Sequence, residues 1–346
     1  MLLPSAAPAV RRCLGMLAVA LVASLTGFVP ADAAEPVGGP LLGARGVVVK
    51  RTAGMPRLPK VRAATWLVAD ATSGSVLAAR GAHVRRPPAS TLKALTALVV
   101  ARNVAPREVH VATVADVDVV GSRVGMVPGA PYTGHQLYQA LFLRSGNDAA
   151  NALARANGGV RTTVTQMNAF AASLGARDTH AVNPTGLDER GQVSSAYDLA
   201  LLGREVLRNP MLLRYAGTVR STFPGKVVPR RKRARFEIYT TQRFVINYVG
   251  AVGIKNGWTT KARDTVIAAA TRNGRTVLVT MMGGKDSTWR EASALADWAF
   301  RVAPEAAEVG SLVATAPPPR PPRSRTRRPR RPPSPPRSRT RRPRRP

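Results

Sequence analysis

The last thirty residues of the chain, Pro317–Pro346, carry thirteen arginines and no acid, and Pro-Pro-Arg-Ser-Arg-Thr-Arg-Arg-Pro-Arg-Arg-Pro occurs there twice, at 321–332 and 335–346. A Pro/Arg tract has too little apolar surface to build a core and is expected to be disordered and locally extended. At the other end, Arg11 and Arg12 precede an apolar run from Leu14 to Val29 that closes on Ala31-Asp32-Ala33. The run is shorter than the ~20 residues a membrane span needs and ends in a small-x-small cleavage pattern, so residues 1–33 read as a secretory signal. Residues 34–62 are basic and rich in Gly and Pro, which reads as a linker. What can fold is therefore bounded: a domain over 63–305, long enough for a large core, followed by a tail over 306–346.

Export sets the chemistry available. Cys13 is the only cysteine and lies inside the signal, so the mature chain has neither a disulfide nor a thiol to use. The formal charge is +33, thirteen of it from the tail. Outside the membrane, the polyanions such a tail meets are cell-wall polymers and lipid headgroups, so no dedicated nucleic-acid partner is expected.

Within 63–305, Ala64–Asp70 and Val76–Arg80 have strand character and flank the turn sequence Ala71-Thr72-Ser73-Gly74-Ser75, which predicts a hairpin. Short β-rich pieces such as Val117–Val120 suggest a small lobe between Val104 and Pro131. Helical spacing follows over Gly134–Leu143, Asp148–Ala156 and Val164–Leu174, where Met167, Phe170, Ala171 and Leu174 form a core stripe. Another helix is expected from Ser194 to about Arg208. Lys226–Arg235 reads as an exposed basic loop. The end of the domain predicts strands at Val249–Thr259, Thr265–Ala270 and Arg275–Met282 and a closing helix at Thr288–Arg301.

Three stretches carry chemistry. Pro87-Pro88-Ala89-Ser90-Thr91-Leu92-Lys93 stops one element and starts a helix, which sets Ser90 and Lys93 on one face a turn apart. A serine hydroxyl is a poor nucleophile alone, and a desolvated lysine beside it is a base able to take its proton. Ser145-Gly146-Asn147 sits between two helical patterns, where a turn could aim a hydroxyl and an amide at a site, or Asn147 or Asp148 could cap the next helix. Lys255-Asn256-Gly257 lies in the first of the late strands.

In this order and spacing, Ser90-x-x-Lys93, Ser145-Gly146-Asn147 and Lys255-Asn256-Gly257 resemble the motif set of penicillin-binding proteins and serine β-lactamases. The flanks Pro-Ala-Ser-Thr-Leu-Lys, Leu-Arg-Ser-Gly-Asn-Asp-Ala-Ala, Asn-Pro-Thr-Gly-Leu-Asp and Ser-Ala-Tyr-Asp-Leu-Ala look like the D-alanyl-D-alanine carboxypeptidases. The resemblance implies an α/β (α+β), β-lactamase/transpeptidase-like fold, an antiparallel sheet flanked by helices with an inserted all-helical lobe. It also implies attack by Ser90 on peptidoglycan stem peptides ending in D-Ala-D-Ala, with Lys93 as base and Ser145 as proton relay. Asn147 would hold the substrate amide, and Lys255, Asn256 and Gly257 would bind around its carboxylate. The backbone N–H groups of Ser90 and Trp258 would form the oxyanion hole, and β-lactams would be trapped at the same serine. No cofactor or metal is implied. One residue departs from the family pattern Lys-Thr-Gly: Asn256 stands where the threonine is expected.

Other classes fit less well. His83, His110, His135 and His180 stand in no Gly-x-Ser-x-Gly context, and there is no His-Glu-x-x-His. A D,D-endopeptidase or a β-lactamase on the same scaffold shares the motifs; against the latter, the loop Asn183–Asp188 looks like the carboxypeptidase version and offers no clear Glu for fast deacylation, Glu189 being the only nearby candidate. A catalytically degenerate wall-binding protein is the alternative of another class.

Overall fold

The computed structural model describes residues 35–285 and 288–313; the expected signal and almost all of the tail lie outside them. In chain order, β1 (Val47–Val49) is followed by the hairpin β2 (Thr65–Asp70) and β3 (Ser75–Arg80). A 3-10 turn over Ala89–Leu92 leads into α1 (Lys93–Val100). Then come β4 (Val109–Val111), α2 (Val114–Val117), β5 (Pro131–Thr133), α3 (Gly134–Leu143), α4 (Asn147–Ala156), α5 (Val160–Ser173), α6 (Ala196–Leu207) and α7 (Pro210–Gly217). The chain continues through β6 (Arg220–Pro224), β7 (Arg235–Tyr239) and α8 (Arg243–Asn247), then β8 (Ala251–Thr259), β9 (Arg263–Arg272), β10 (Arg275–Gly284), α9 (Thr288–Val302) and β11 (Gly310–Ser311).

Both ends of the folded chain build one antiparallel sheet, in the order β1-β3-β2-β10-β9-β8, with β11 also on β3. Alternation along β10 explains how its two faces are filled. Val277, Val279 and Met281 pack with Leu295 and Trp298 of α9, while Leu278 and Met282 point to the core shared with α1 and α6. The Thr280 hydroxyl, on that second face, donates to Ala196 O of α6 at 2.6 Å. Several of the helices between β3 and β6 start at side-chain caps. Thr133 and Gln136 form a capping box at α3, the Ser195 hydroxyl accepts Asp198 N–H at α6, and Asn209 with Pro210 opens α7.

The antiparallel sheet, the flanking helices and the helical lobe agree with expectation, and the stripe Met167, Phe170, Ala171 and Leu174 is buried. Three readings need correction. Residues 34–62 are not a plain linker: Val47–Val49 pair with Ala78–Arg80, and Leu42 is buried in the core, because the outer edge of β3 is otherwise unpaired. For the same reason the domain does not end at 305, since Gly310 and Ser311 pair with Val76 and Ser75 and Leu312 is buried. Val117–Val120 forms no strand, because Thr113 and Asp116 make a capping box that turns Val114–Val117 into helix.

Candidate active site

Ser90 sits in the 3-10 turn and Lys93 begins the α-helix proper, so the pair shares a face although the helix starts three residues later than expected. Lys93 is fully buried, and its Nζ lies 2.8 Å from Ser90 Oγ, 2.7 Å from Asn147 Oδ1 and 2.5 Å from Thr185 O. A neutral amine has two hydrogens and one lone pair. The two carbonyl oxygens can only accept, so they take both hydrogens and leave the lone pair for the Ser90 hydroxyl. Burial, then the charge of Lys255, hold the Lys93 pKa well below the ordinary lysine value, against an opposing pull from Asp148.

The Asn183–Asp188 loop, which sequence reasoning singled out only as part of the resemblance, supplies the third partner. Asn183 Oδ1 accepts from Thr185 N, Thr185 Oγ1 and Gly186 N, which locks the turn that offers the Thr185 carbonyl to Lys93. Gly186 has φ +82°, and a Cβ there would fall 2.0 Å from Ala89 O, so only glycine lets this loop lie against the Ser90 turn. Asp188 ties the same loop to the β8–β9 turn by accepting from Thr259 Oγ1 at 2.8 Å.

Ser145 lies in the turn between α3 and α4, buried and in left-handed backbone conformation (φ +55°). Asn147 has a part beyond its expected role as a holder of substrate. Its Oδ1 accepts from Lys93 and its Nδ2 donates to Val120 O at 2.7 Å, so the side chain first positions the lysine, and one amide N–H is left for a substrate. Asp148, legible in the sequence only as a possible cap, is wholly buried. Its carboxylate accepts the backbone N–H groups of Val124, Gly125, Met126 and Ala149, which fixes the loop that leads to Val120 and the Asn147 amide.

On the other side, β8 brings Lys255 against the site. Lys255 is fully buried, and burial pushes its pKa down to about 7. Its Nζ donates to Asn256 O at 2.6 Å. Asn256 Oδ1 accepts from the Thr241 hydroxyl at 3.3 Å and from Lys255 Nζ at 3.4 Å. A Cβ on Gly257 would lie 2.5 Å from Ser90 N and 2.9 Å from Thr91 N, so the bare backbone of β8 passes directly over the N–H groups of the Ser90 turn. Thr265 of β9 clamps the same turn from below, donating to Pro88 O at 2.9 Å. Trp258, next along β8, is 61% exposed and, with Ser90, Asn147, Val120 and Leu187, lines a cleft of about 1020 Å³. Glu189 lies on the same cleft.

Among the described residues one cluster has metal-ligand composition, His83, Asp178 and Asp198. Its ring nitrogens are already used: Nδ1 faces Asp178 Oδ2 at 2.8 Å and Nε2 faces Val37 O at 3.0 Å. Two acceptors call for an imidazolium. Burial opposes that charge, but the bond and charge of Asp178 outweigh it and raise the pKa.

The family model described as D-alanyl-D-alanine carboxypeptidase matches residues 51–286. The chain is 41% identical over 267 residues to D-alanyl-D-alanine carboxypeptidase DacB2 of Mycobacterium tuberculosis, covering 75% of this chain and 89% of that one. It is 32% identical over 262 residues to DacA of Escherichia coli, where the match covers 71% of this chain and 63% of the relative. Among solved structures, a D-alanyl-D-alanine carboxypeptidase from M. tuberculosis superposes with TM-score 0.70 at 40% identity over 76% of this chain and 99% of that one. The Streptomyces K15 DD-transpeptidase superposes with TM-score 0.67 at 26% identity over 71% of this chain and 100% of its own.

Proposed function

The chain belongs to the D-alanyl-D-alanine carboxypeptidase family, and from that membership and the site geometry we infer that it removes the terminal D-alanine of peptidoglycan stem peptides through an acyl-enzyme on Ser90. Neutral Lys93 takes the Ser90 proton as Oγ attacks the carbonyl between the two D-alanines. The oxyanion then faces the N–H groups of Ser90 and Trp258, donors that strengthen as charge appears and are worth about 3 kcal/mol each in such sites. Ser145 passes a proton to the departing amine. Asn147 holds Lys93 and offers its remaining N–H to the substrate amide. Lys255 with Asn256 and Gly257 receives the terminal carboxylate, and water hydrolyses the acyl-enzyme. β-Lactams acylate the same serine and leave slowly.

The observation that carries this reading is the Lys93 amine held between two carbonyl oxygens and the Ser90 hydroxyl. Measuring D-alanine release from a diacylated Lys-D-Ala-D-Ala peptide, beside Ser90→Ala, tests it. Release that disappears in Ser90→Ala is the expected outcome; release that persists in the variant, or none from the parent, refutes it. In the second case Asn256→Thr tells whether the missing threonine is the cause. The chain acts outside the cytoplasm, and we propose that residues 1–33 direct export. The Arg/Pro tail would hold the enzyme to anionic wall polymers or lipid headgroups, on the strength of its thirteen arginines.

A further inference from the structure

The β6–β7 hairpin takes no part in the chemistry at Ser90. Its root is firmly seated. Phe223 and Ile238 are buried, and the Arg233 guanidinium lies 4.6 Å from the Tyr132 ring centre while donating to Pro131 O at 2.5 Å. Its tip is the opposite: residues 226–232 are all exposed. Between Lys226 and Arg235 there are six cations and no acid; Arg233 and Arg235 are bonded back to Pro131, Gly225 and Thr222, and Lys226, Arg230, Arg231 and Lys232 stand on the exposed tip. Beside them, Val227 is 54% exposed, Val228 46% and Phe236 41%.

Cations alone would fit any polyanion. Two adjacent valines at a hairpin tip are another matter, because a soluble polyanion would leave them in water and an apolar protein groove would have no use for the charges. An anionic bilayer takes both: headgroups pair with Lys and Arg, and the boundary with the acyl chains accepts the apolar tip. No helix among the described residues is long and apolar enough to cross a membrane, so such a contact is peripheral. We propose that the β6–β7 hairpin docks the enzyme on an anionic lipid leaflet, with Val227 and Val228 at the acyl boundary and the surrounding cations on the headgroups. The hairpin runs directly into Thr240 and Thr241, and Thr241 touches Asn256, so docking holds the rim of the active site off the bilayer surface by about the length of the hairpin's five-residue strands, roughly 17 Å.

The test reads the hairpin itself, because the tail would bind vesicles on its own account. In the full chain carrying Cys13→Ser and Val228→Cys, residue 228 bears an environment-sensitive fluorophore. With phosphatidylglycerol vesicles the emission should shift to the blue, and acyl-chain bromolipids should quench it. Each surface cation contributes about fivefold to partitioning onto an anionic leaflet. Combined substitution of Lys226, Arg230, Arg231 and Lys232 by Gln should therefore raise the lipid concentration for half-maximal shift by at least about tenfold, with D-alanine release in solution unchanged. Three outcomes overturn the proposal: no shift with any vesicle, an equal shift with phosphatidylcholine, or an equal shift with soluble polyphosphate, which would assign the surface to a dissolved polyanion.

Discussion

Gly257→Ala probes how β8 and the nucleophile turn share space. The added Cβ would meet Ser90 N at 2.5 Å, Thr265 Oγ1 at 2.8 Å and Thr91 N at 2.9 Å, where ordinary contact begins at 3.4 Å. Two of the three atoms are backbone, so no rotamer change relieves the clash. The strand and the turn must part by most of an ångström. A displacement of about 1 Å between reacting groups costs about 100-fold in rate, and loss of one oxyanion donor costs about 100- to 1000-fold. Overpacking of this kind costs about 1–3 kcal/mol of stability, a fall in Tm of several degrees at about 2–4 °C per kcal/mol for a domain of this size. The variant should therefore remain folded while its acylation rate constant with a fluorescent β-lactam drops at least about 100-fold. Acylation within about threefold of the parent at unchanged Tm would refute the reasoning, since a loss of 100-fold is what the displacement demands.

Lys93→Gln keeps a donor for Asn147 and Thr185 but has no amine lone pair for Ser90; acylation should fall by about 100- to 10,000-fold, read by the same assay. Burial sets the Lys255 pKa at about 7, so its positive charge is present below that value and is lost as pH rises through it. KM for a carboxylate-ended peptide should accordingly rise above neutrality, and a steady-state pH profile checks it against a C-terminal amide, which should show no such rise. Asp148→Asn removes the charge that raises the Lys93 pKa, so the acidic limb of the acylation profile should move to lower pH. The same change leaves at least one of the three buried N–H groups of Val124, Met126 and Ala149 or that of Gly125 without its acceptor, at about 1–3 kcal/mol for a buried one, visible as a lower Tm.

Local pattern carried the sequence reading where periodicity was unbroken. The β2–β3 hairpin, α3, α4 and α9 were all legible from alternation, helical spacing and turn residues. Ser90, Lys93, Lys255 and Asn147 converge as their motifs imply, though the role of Asn147 did not follow from its residue type. What lay hidden depends on contacts far apart in sequence. The Thr185 carbonyl is a backbone group, and any residue could have supplied it. The need for glycine at 186 and 257 comes from the Ser90 turn pressing on both. β1 and β11 are short and carry no strong pattern of their own; the open edge of β3 makes them strands. Lys226–Arg235 reads as an exposed basic loop and forms the tip of a hairpin; the two five-residue strands on either side of it, at 220–224 and 235–239, are too short to show a pattern of their own.

That edge of β3 has one more consequence. β1 and β11 lie along it end to end, and Ser311 N donates to Gly38 O at 2.8 Å. The folded chain thus closes nearly into a ring, and a short splice across this seam would lose little loop entropy. A circular permutant opened instead at the exposed 226–232 tip would keep every residue of the site. The seam is also five strand spacings from β8, roughly 24 Å, so cargo or tether fused at either side of it hangs from the edge of the sheet remote from Lys255.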